Sequence, residues 1–458
     1  MSEKVVPREN KMGVMPVNKL LLTMAWPMMI SMLVQAMYNV VDSIFVSRLS
    51  ENALTAVSLA FPIQSILIAM GTGAGVGVNA ILSRALGEKD QQTVNKTAGC
   101  GLFLAVCNFL LFVVVGLFVS RPFFASQTEI AEIVDYGTDY LQICCCLSFG
   151  VYAQLIGEKL LQSTGRTLLS MFSQGLGAII NIVMDPILIF GLLGFPAMGV
   201  AGAAAATVLG QIVGGSLAIF MNVKWNKEIS IQAKYILRPD FGIILRIYRI
   251  GLPSIIMQAI GSVMVYCMNR ILIGFTETAA TVFGVYFKIQ SIFFMTVFAL
   301  NNSMVPIIAY NYGAGKRSRI IATIKLGVIY ASCMMLVGLA VFQLFPDQLL
   351  LLFDAQENML AIGRVALRVA SLSYLFAGFC IAIGGVFQAL GNGVYSMIVS
   401  VCRQLIVLLP AAYLLSLTGD LDAVWWAIPI AELMSVAATA VLLVRICNKI
   451  IRNIPDNA

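Results

Sequence analysis

Two aspartates inside long apolar stretches are the residues of this sequence with the clearest potential for chemistry. Asp42 and Asp185 each lie in such a stretch, and Asn181 precedes Asp185 by about one helical turn. Thr207 and Tyr140 are polar groups of two further apolar stretches that could point into the same space. Because an ionisable side chain within a bilayer is costly, it is usually kept for a function. These residues therefore predict a site that handles an ion.

Further polar side chains lie on the same helical faces as the two acids. They are candidates for lining a substrate cavity: Gln35, Tyr38 and Asn39 beside Asp42, and Gln174 beside Asp185. Two simpler interpretations stay open. Asp185 precedes Pro186, and an Asp-Pro pair can cap a helix segment at a break. Asp42 could be an interfacial acid near a helix end that is satisfied by water.

The chain matches itself without a gap at an offset of 226 residues. Pro27 falls on Pro253, the Ile-Gln-Ser-Ile run 63–66 falls on 289–292, and Gly165 falls on Gly391. Apolar stretches match easily by chance, but one register held over so long a stretch does not. The offset indicates two copies of one membrane unit, an architecture typical of secondary transporters.

The acids are not duplicated with the rest of the unit. At the same offset Asp42 falls on Met268 and Asp185 falls on Ala411. A purely structural acid would be expected more often in both copies. This asymmetry predicts a single ion site, located in the first half of the chain.

The composition indicates a membrane protein and excludes several kinds of enzyme. Of the 458 residues, 60% are hydrophobic and 11% are charged, whereas a soluble domain carries about 25% charged residues. The sequence has no histidine, which excludes His-based acid–base catalysis, His-containing triads and His metal sites. The cysteines lack paired metal-ligand spacing. We therefore expect no enzyme activity, no cofactor and no metal ion other than sodium.

The apolar stretches predict an all-α polytopic membrane protein with twelve transmembrane helices. These spans 1 to 12 are expected at residues 20–46, 54–80, 98–119, 136–157, 169–190, 199–221, 250–273, 280–308, 324–345, 365–388, 395–416 and 424–447. Since each repeat has an even number of spans, both copies should share one orientation, related by an axis along the membrane normal.

Five segments follow from the repeat and the loops. They are a cytoplasmic N-terminal segment 1–19, a first lobe 20–221, a cytoplasmic linker 222–249, a second lobe 250–447 and a cytoplasmic tail 448–458. The polar and basic linker is long enough to let two lobes rock against each other. Its end, 241–250, has apolar and basic residues at helical spacing and predicts a short interfacial helix entering span 7.

The charge distribution predicts the orientation in the cell membrane. Most of the 29 Lys and Arg residues flank one side of the predicted spans, together with both termini. The loops of the other side are acidic: Glu129, Glu132, Asp347, Asp354, Glu357, Asp420 and Asp422. By the positive-inside rule both termini are cytoplasmic, in a multi-pass protein of the inner cell membrane. This pattern explains the net charge of +7 without a nucleic-acid partner.

Other intramembrane residues have structural and functional interpretations that both stay open. Pro27 and Pro253 should kink spans 1 and 7, as hinges or as packing kinks. In the second half, Lys288 or Arg403 with Glu432 would form a buried pair, with a structural or a transport role. Arg270 is a further charge there. The glycines 71, 73, 75 and 77 indicate close helix packing rather than a phosphate loop.

Several motifs together resemble the multidrug and toxic compound extrusion (MATE) family, in its DinF-like branch. They are Ala25-Trp26-Pro27, Val41-Asp42, Leu86-Gly87-Glu88, Asn181-Ile-Val-Met-Asp185-Pro186, Gly199-Val-Ala-Gly-Ala-Ala-Ala-Ala-Thr207 and Tyr310-Asn-Tyr-Gly-Ala-Gly315. The resemblance covers nearly the whole chain and depends on the order and spacing of the motifs.

The resemblance implies two pseudo-symmetric six-helix lobes around a central cleft, which export drugs or other amphipathic organic compounds against inward proton or sodium flow. It implies an ion site at Asp42, Asn181, Asp185 and Thr207, with Tyr140 nearby. The oxygens of the first four residues could also coordinate sodium. This chain lacks the second-lobe carboxylates of some branches in spans 7 and 10. An organic cation and the lipid bilayer are the expected partners of a monomer. A lipid-linked oligosaccharide flippase of the same superfamily is the alternative.

Overall fold

The computed structural model describes residues 9–353 and 355–456 and is built from helices. Ten helices are long and apolar enough to cross a membrane, and two bent helix pairs bring the spans to twelve. The first eight residues of the N-terminal segment, the loop acid Asp354 and the last two residues of the tail lie outside the described residues.

The spans are longer at most ends than the sequence predicts. In the first lobe they are Val17–Ser47, Glu51–Gly87, Gln91–Phe118, Ala131–Cys146 with Phe149–Ser163, Thr167–Phe190 and Val200–Lys224. In the second lobe they are Phe241–Ile273, Glu277–Gly313, Arg317–Leu344, Glu357–Ser371 with Tyr374–Ala389, Gly393–Ser416 and Ala427–Lys449.

The helix boundaries repeat at the offset of the sequence. Spans 2, 3 and 5 and their counterparts 8, 9 and 11 show this: Glu51–Gly87 falls on Glu277–Gly313, Gln91–Phe118 on Arg317–Leu344, and Thr167–Phe190 on Gly393–Ser416. The N-caps of spans 2 and 8 repeat as well. The Ala53 amide donates to Ser50 Oγ at 3.0 Å, and the Ala279 amide donates to Thr276 Oγ1 at 3.1 Å. The duplicated sequence therefore folds into two equivalent bundles.

Spans 4 and 10 are bent rather than straight. Their two parts meet at angles of 46° and 48°. The breaks fall at Leu147-Ser148 and Leu372-Ser373, where the same two residue types recur in both copies. Short helices, Ser120–Ala125 and Pro346–Leu351, precede these spans. A hydropathy window does not register a break that leaves the apolar run continuous.

The linker is packed rather than extended. Its end does not form a separate helix, because Phe241–Ile273 is one continuous helix, and a shorter helix, Ala233–Leu237, lies before it. Asn95 Oδ1 of span 3 accepts a hydrogen bond from the Ser230 amide at 2.8 Å, and Gln91 Nε2 donates to the Glu228 carbonyl at 2.9 Å. These contacts fix the linker to the first lobe.

Both described chain ends lie on one side of the bundle, called here the terminal side. Lys316 Nζ lies 2.8 Å from Glu9 Oε1, and the Ser318 amide donates to Asp456 Oδ1 at 3.0 Å. The opposite side is called the distal side. The linker and most of the basic residues lie on the terminal side, and the acidic loops on the distal side.

The two lobes pack against each other over the terminal half of the bundle. First-lobe residues that join the large apolar cluster of the second lobe lie within 12–29 and 76–86. Residues of the first turns of span 7 that join the first-lobe cluster lie within 243–248. All of these belong to the terminal halves of spans 1, 2 and 7 or to the segment before span 1. The central cleft between the lobes therefore opens towards the distal side.

Candidate functional site

Small residues bring spans 5 and 6 close enough to share polar groups. A Cβ on Gly210 would lie 2.5 Å from the Gly177 carbonyl oxygen, so only glycine permits this approach. One turn earlier on span 6, Thr207 Oγ1 accepts a hydrogen bond from Asn181 Nδ2 at 3.1 Å. The close contact at Gly210 thus positions the Thr207 hydroxyl group against span 5.

Asp185 is completely buried on the same face of span 5 as Asn181. Neither carboxyl oxygen has a hydrogen-bond partner among the described residues. Span 5 continues as a helix through Asp185 and Pro186 to Phe190. Asp185 therefore does not cap a helix break, which removes the simpler interpretation of this acid.

Asp42 lies in span 1, which packs against span 5 in the first lobe. It is half-buried, and its Oδ1 atom is buried without a hydrogen-bond partner in the described chain. The two acids therefore lie on neighbouring spans of the first lobe.

The site has more hydrogen-bond acceptors than donors. Four buried oxygens have no partner among the described residues: both of Asp185, Oδ1 of Asp42 and Oδ1 of Asn181. Carboxylate and amide oxygens suit hard cations such as Na⁺, and a carboxylate can instead take up a proton. The described residues contain no group of three or more His, Cys, Asp or Glu side chains that could hold a metal ion. Cation binding here would therefore need the amide and hydroxyl oxygens as well.

The remaining candidate residues lie apart from the hydrogen bond between Asn181 and Thr207. Tyr140 is buried, and its hydroxyl accepts a hydrogen bond from Gln64 Nε2 of span 2 at 3.2 Å, not from the acid pair. Gln174 Nε2 donates to Gln35 Oε1 at 2.9 Å, which joins spans 5 and 1. Asn39 is exposed. Tyr38 is half-buried.

Glu158 is an acid of the first lobe that the sequence reasoning did not single out. It is buried in span 4, and its Oε1 accepts a hydrogen bond from Gln154 Nε2 at 3.0 Å. The repeat contained the signal, because Glu158 falls on Gly384 at the 226-residue offset.

In the part of the second lobe that the structure describes, Arg403 and Glu432 form an ion pair that is largely buried. Arg403 Nη1 lies 3.3 Å from Glu432 Oε2, with the Glu432 side chain 6% exposed. The segment Cys402–Leu408 of span 11 is a π-helix, so its side chains point in other directions than they would in an α-helix. Lys288 and Arg270 are both exposed. Of the two predicted partners of Glu432, the structure therefore selects Arg403.

The segment Glu9–Pro16, called here the clasp, connects both lobes on the terminal side. Asn10 Nδ2 donates to the Thr164 carbonyl and to Glu228 Oε2, at 3.1 and 2.6 Å. On the other side, the Met12 carbonyl accepts hydrogen bonds from Asn311 Nδ2 and Arg319 Nη2, both at 3.0 Å. Met12 itself is fully buried. The clasp therefore closes the terminal side in this conformation.

The two hinge candidates lie inside unbroken helices. Pro27 is buried within Val17–Ser47, and Pro253 is buried within Phe241–Ile273. Both lie in the terminal halves of their spans, where the lobes are in contact.

Comparison with known proteins gives concordant similarities. A family model described as MatE matches residues 27–187 and 253–414. The multidrug export protein MepA of Staphylococcus haemolyticus is 27% identical over 420 residues, 90% of each chain. MepA of Staphylococcus aureus (strain MRSA252) is 26% identical over 94% of this chain and 93% of its own.

A solved structure titled "Outward-facing conformation of a multidrug resistance MATE family transporter of the MOP superfamily" has a TM-score of 0.88 at 26% identity. The match covers 96% of this chain and 98% of the other. Because the family model matches most of the chain, once in each half, this chain belongs to the MatE family of membrane transporters, whose members are not enzymes.

Proposed function

We propose that the protein is an efflux antiporter that exports amphipathic, cationic organic compounds in exchange for protons or sodium ions. The observation that carries the proposal is the acid pair of the first lobe. Asp185 is fully buried with both carboxyl oxygens unpartnered in the described chain, and Asp42 on the neighbouring span 1 has one buried, unpartnered oxygen. The similarity to relatives named multidrug export proteins supports the substrate class. The flippase alternative has no comparable support.

Transport proceeds by alternating access of the cleft. The terminal side is cytoplasmic, since most Lys and Arg residues lie there, so the present conformation is outward-facing. The lobes 20–221 and 250–447 move against each other, connected by the linker 222–249, and Pro27 and Pro253 act as hinges. The protein works as a monomer in the inner membrane.

Ion binding and substrate binding compete through charge. The unoccupied acid pair attracts a cationic substrate to the first lobe, where Gln35, Tyr38, Asn39 and Gln174 contribute polar contacts. Binding of a proton or Na⁺ at Asp42, Asn181, Asp185 and Thr207 neutralises the site. The substrate is then held less strongly and is released outward. Tyr140 borders this site.

The test is efflux of a fluorescent organic cation from proteoliposomes, with proton and sodium gradients imposed separately. Asp42→Asn and Asp185→Asn should each abolish ion-driven efflux. Asp135→Asn is the matched control, because this acid is 62% exposed and pairs with Arg121 on the surface. Efflux by both site variants at the wild-type rate, with an unchanged response to the ion gradients, would refute the proposal.

A further inference from the structure

A basic cavity of about 390 Å³ lies on the terminal side, away from the ion site. Gln92 and Lys96 at the start of span 3 form one wall, and residues 234–235 and 238–240 of the linker form the other. Tyr235 packs directly against the backbone of span 3 at Gly99. This contact holds the short helix Ala233–Leu237 in place, so the cavity is formed by fixed elements.

The cavity has an excess of positive charge. Lys96 Nζ forms an ion pair with Asp240 Oδ2 at 3.1 Å. The hydrogen bond from Lys96 lowers the pKa of Asp240, and the Asp240 carboxylate also caps span 7 through the Gly242 amide at 3.0 Å. Lys234 and Arg238 are exposed and form no ion pair with another described residue. Two cations thus remain available to an anionic ligand.

Large apolar side chains are exposed directly beside these two cations. Leu237, Phe241 and Leu245 follow one another at intervals of four residues, and they are 80%, 76% and 73% exposed. Exposure of such a row of apolar side chains to water is energetically unfavourable. Basic residues next to an apolar row are typical of segments at the membrane interface. The row continues into span 7, the direction in which acyl chains would lie.

We propose that this cavity binds the headgroup of an anionic phospholipid from the terminal-side leaflet. Lys234 and Arg238 contact the phosphate, and the acyl chains lie along Leu237, Phe241 and Leu245. The bound lipid connects the linker helix to spans 3 and 7. This inference is independent of the transported compound and of the coupling ion.

The experiment uses native mass spectrometry of the full-length protein with phosphatidylglycerol or phosphatidylcholine added in equal amounts. The wild type should retain phosphatidylglycerol in preference to phosphatidylcholine. The Lys234→Gln/Arg238→Gln variant should bind phosphatidylglycerol roughly 30-fold less tightly, since each interfacial cation contributes on the order of a fivefold factor in affinity. The Lys227→Gln/Arg249→Gln variant is the control, as it removes two exposed cations of the same linker region outside the cavity.

Four outcomes decide the matter, with folding of each variant checked by its melting temperature. Loss of phosphatidylglycerol in the cavity variant alone supports the proposal. Equal retention by the cavity and control variants would overturn it, as would equal retention of the two lipids by the wild type. Soluble glycerol phosphate that displaces the lipid at the same concentration would also overturn it, because the apolar row would then contribute nothing to binding.

Discussion

At the scale of single residues, Asp185 combines complete burial with two carboxyl oxygens that have no partner in the described chain. A buried polar atom without a partner costs about 1–3 kcal/mol. Replacing Asp185 with leucine, which has a similar branching pattern, should therefore raise the melting temperature while it abolishes ion-driven efflux. Sites that are kept for function at the expense of stability behave in this way.

The control for this first prediction is Asn222→Leu. Asn222 is equally buried, but its amide donates hydrogen bonds to the Gly157 and Ala218 carbonyls, both at 2.8 Å. This substitution should lower the melting temperature. If Asp185→Leu lowers it as well, the carboxyl group stabilises the fold, and the acid is structural.

The pair of Arg403 and Glu432 in the second lobe gives the second prediction. Removing one partner of a buried pair typically costs about 3–5 kcal/mol, while replacing both with apolar residues is often neutral. Since Arg403 is 28% exposed, we expect a loss of about 3 kcal/mol for Glu432→Leu. The double variant Arg403→Met/Glu432→Leu should regain most of it.

Thermal unfolding of the single and double variants gives the coupling between the two residues, and efflux by the double variant separates the two roles. A stable double variant with wild-type efflux indicates a structural pair. A stable double variant without efflux would contradict that role and would make the pair part of transport.

Sequence reasoning predicts which residues are candidates for the ion site, but it does not predict their contacts. The face shared by Asn181 and Asp185 followed from helical periodicity, and the structure adds the bond from Asn181 to Thr207. The partner of Tyr140 was missed, because Gln64 lies in another span and its approach depends on the packing of the bundle. Glu158 was missed although the repeat marked it. Spacing along one helix is local information, whereas a contact between helices is not.

At the scale of elements, the repeat and the hydropathy were sufficient to predict the number of membrane spans but not which spans are bent. Bends in spans 4 and 10 leave the apolar run uninterrupted, so only the backbone reveals them. The packing of the linker on span 3 was also missed, since its hydrogen bonds use single polar groups such as Asn95. Polar residues in a loop carry no periodic signal that indicates their partner.

Close helix contacts on the terminal side give the third prediction. A methyl group at Gly87 would collide with the Tyr310 carbonyl oxygen of span 8, and one at Gly313 would collide with the Arg84 carbonyl of span 2. Overpacking of this kind typically costs about 1–3 kcal/mol. Gly87→Ala should therefore shift the equilibrium away from the present conformation by roughly 5- to 100-fold.

Distances between spin labels at Lys227 and Lys449, both exposed and on the terminal side, report this shift. The distance should increase in Gly87→Ala and stay unchanged in Gly284→Ala, since nothing lies within 4 Å of a Cβ at Gly284. Equal distances in both variants would mean that this contact does not limit the opening of the terminal side.

At the scale of the whole molecule, the clasp is an additional contact between the lobes. It connects Thr164 and Glu228 on one side to Asn311 and Arg319 on the other. Hydropathy places the residues of the clasp in the polar N-terminal segment before span 1. The composition of that segment gives no reason to expect a contact between the lobes. For the cleft to open to the terminal side, at least one half of these hydrogen bonds must break.

Two acids of the clasp region should make its docking depend on pH in opposite directions, which is the fourth prediction. A hydrogen bond from Lys316 lowers the pKa of Glu9 in the docked clasp, so its stabilisation is present above pH 4.5 and is lost as the pH falls through the lowered value. Burial raises the pKa of Glu228, against the effects of Arg166 and Asn10. Its contribution is present below its ordinary pKa of 4.5 and is lost as the pH rises through the raised value.

Docking should therefore be strongest between these two titrations and weaken on either side, as reported by the distance between spin labels at Val14 and Lys227, both exposed. Glu9→Gln should flatten the acid limb of this profile. Glu228→Gln should flatten the alkaline limb, because its amide oxygen still accepts the hydrogen bond of Asn10 without carrying a charge. Glu277→Gln, on the distal side, should change neither limb. An alkaline limb that persists in Glu228→Gln would show that another group controls the release of the clasp.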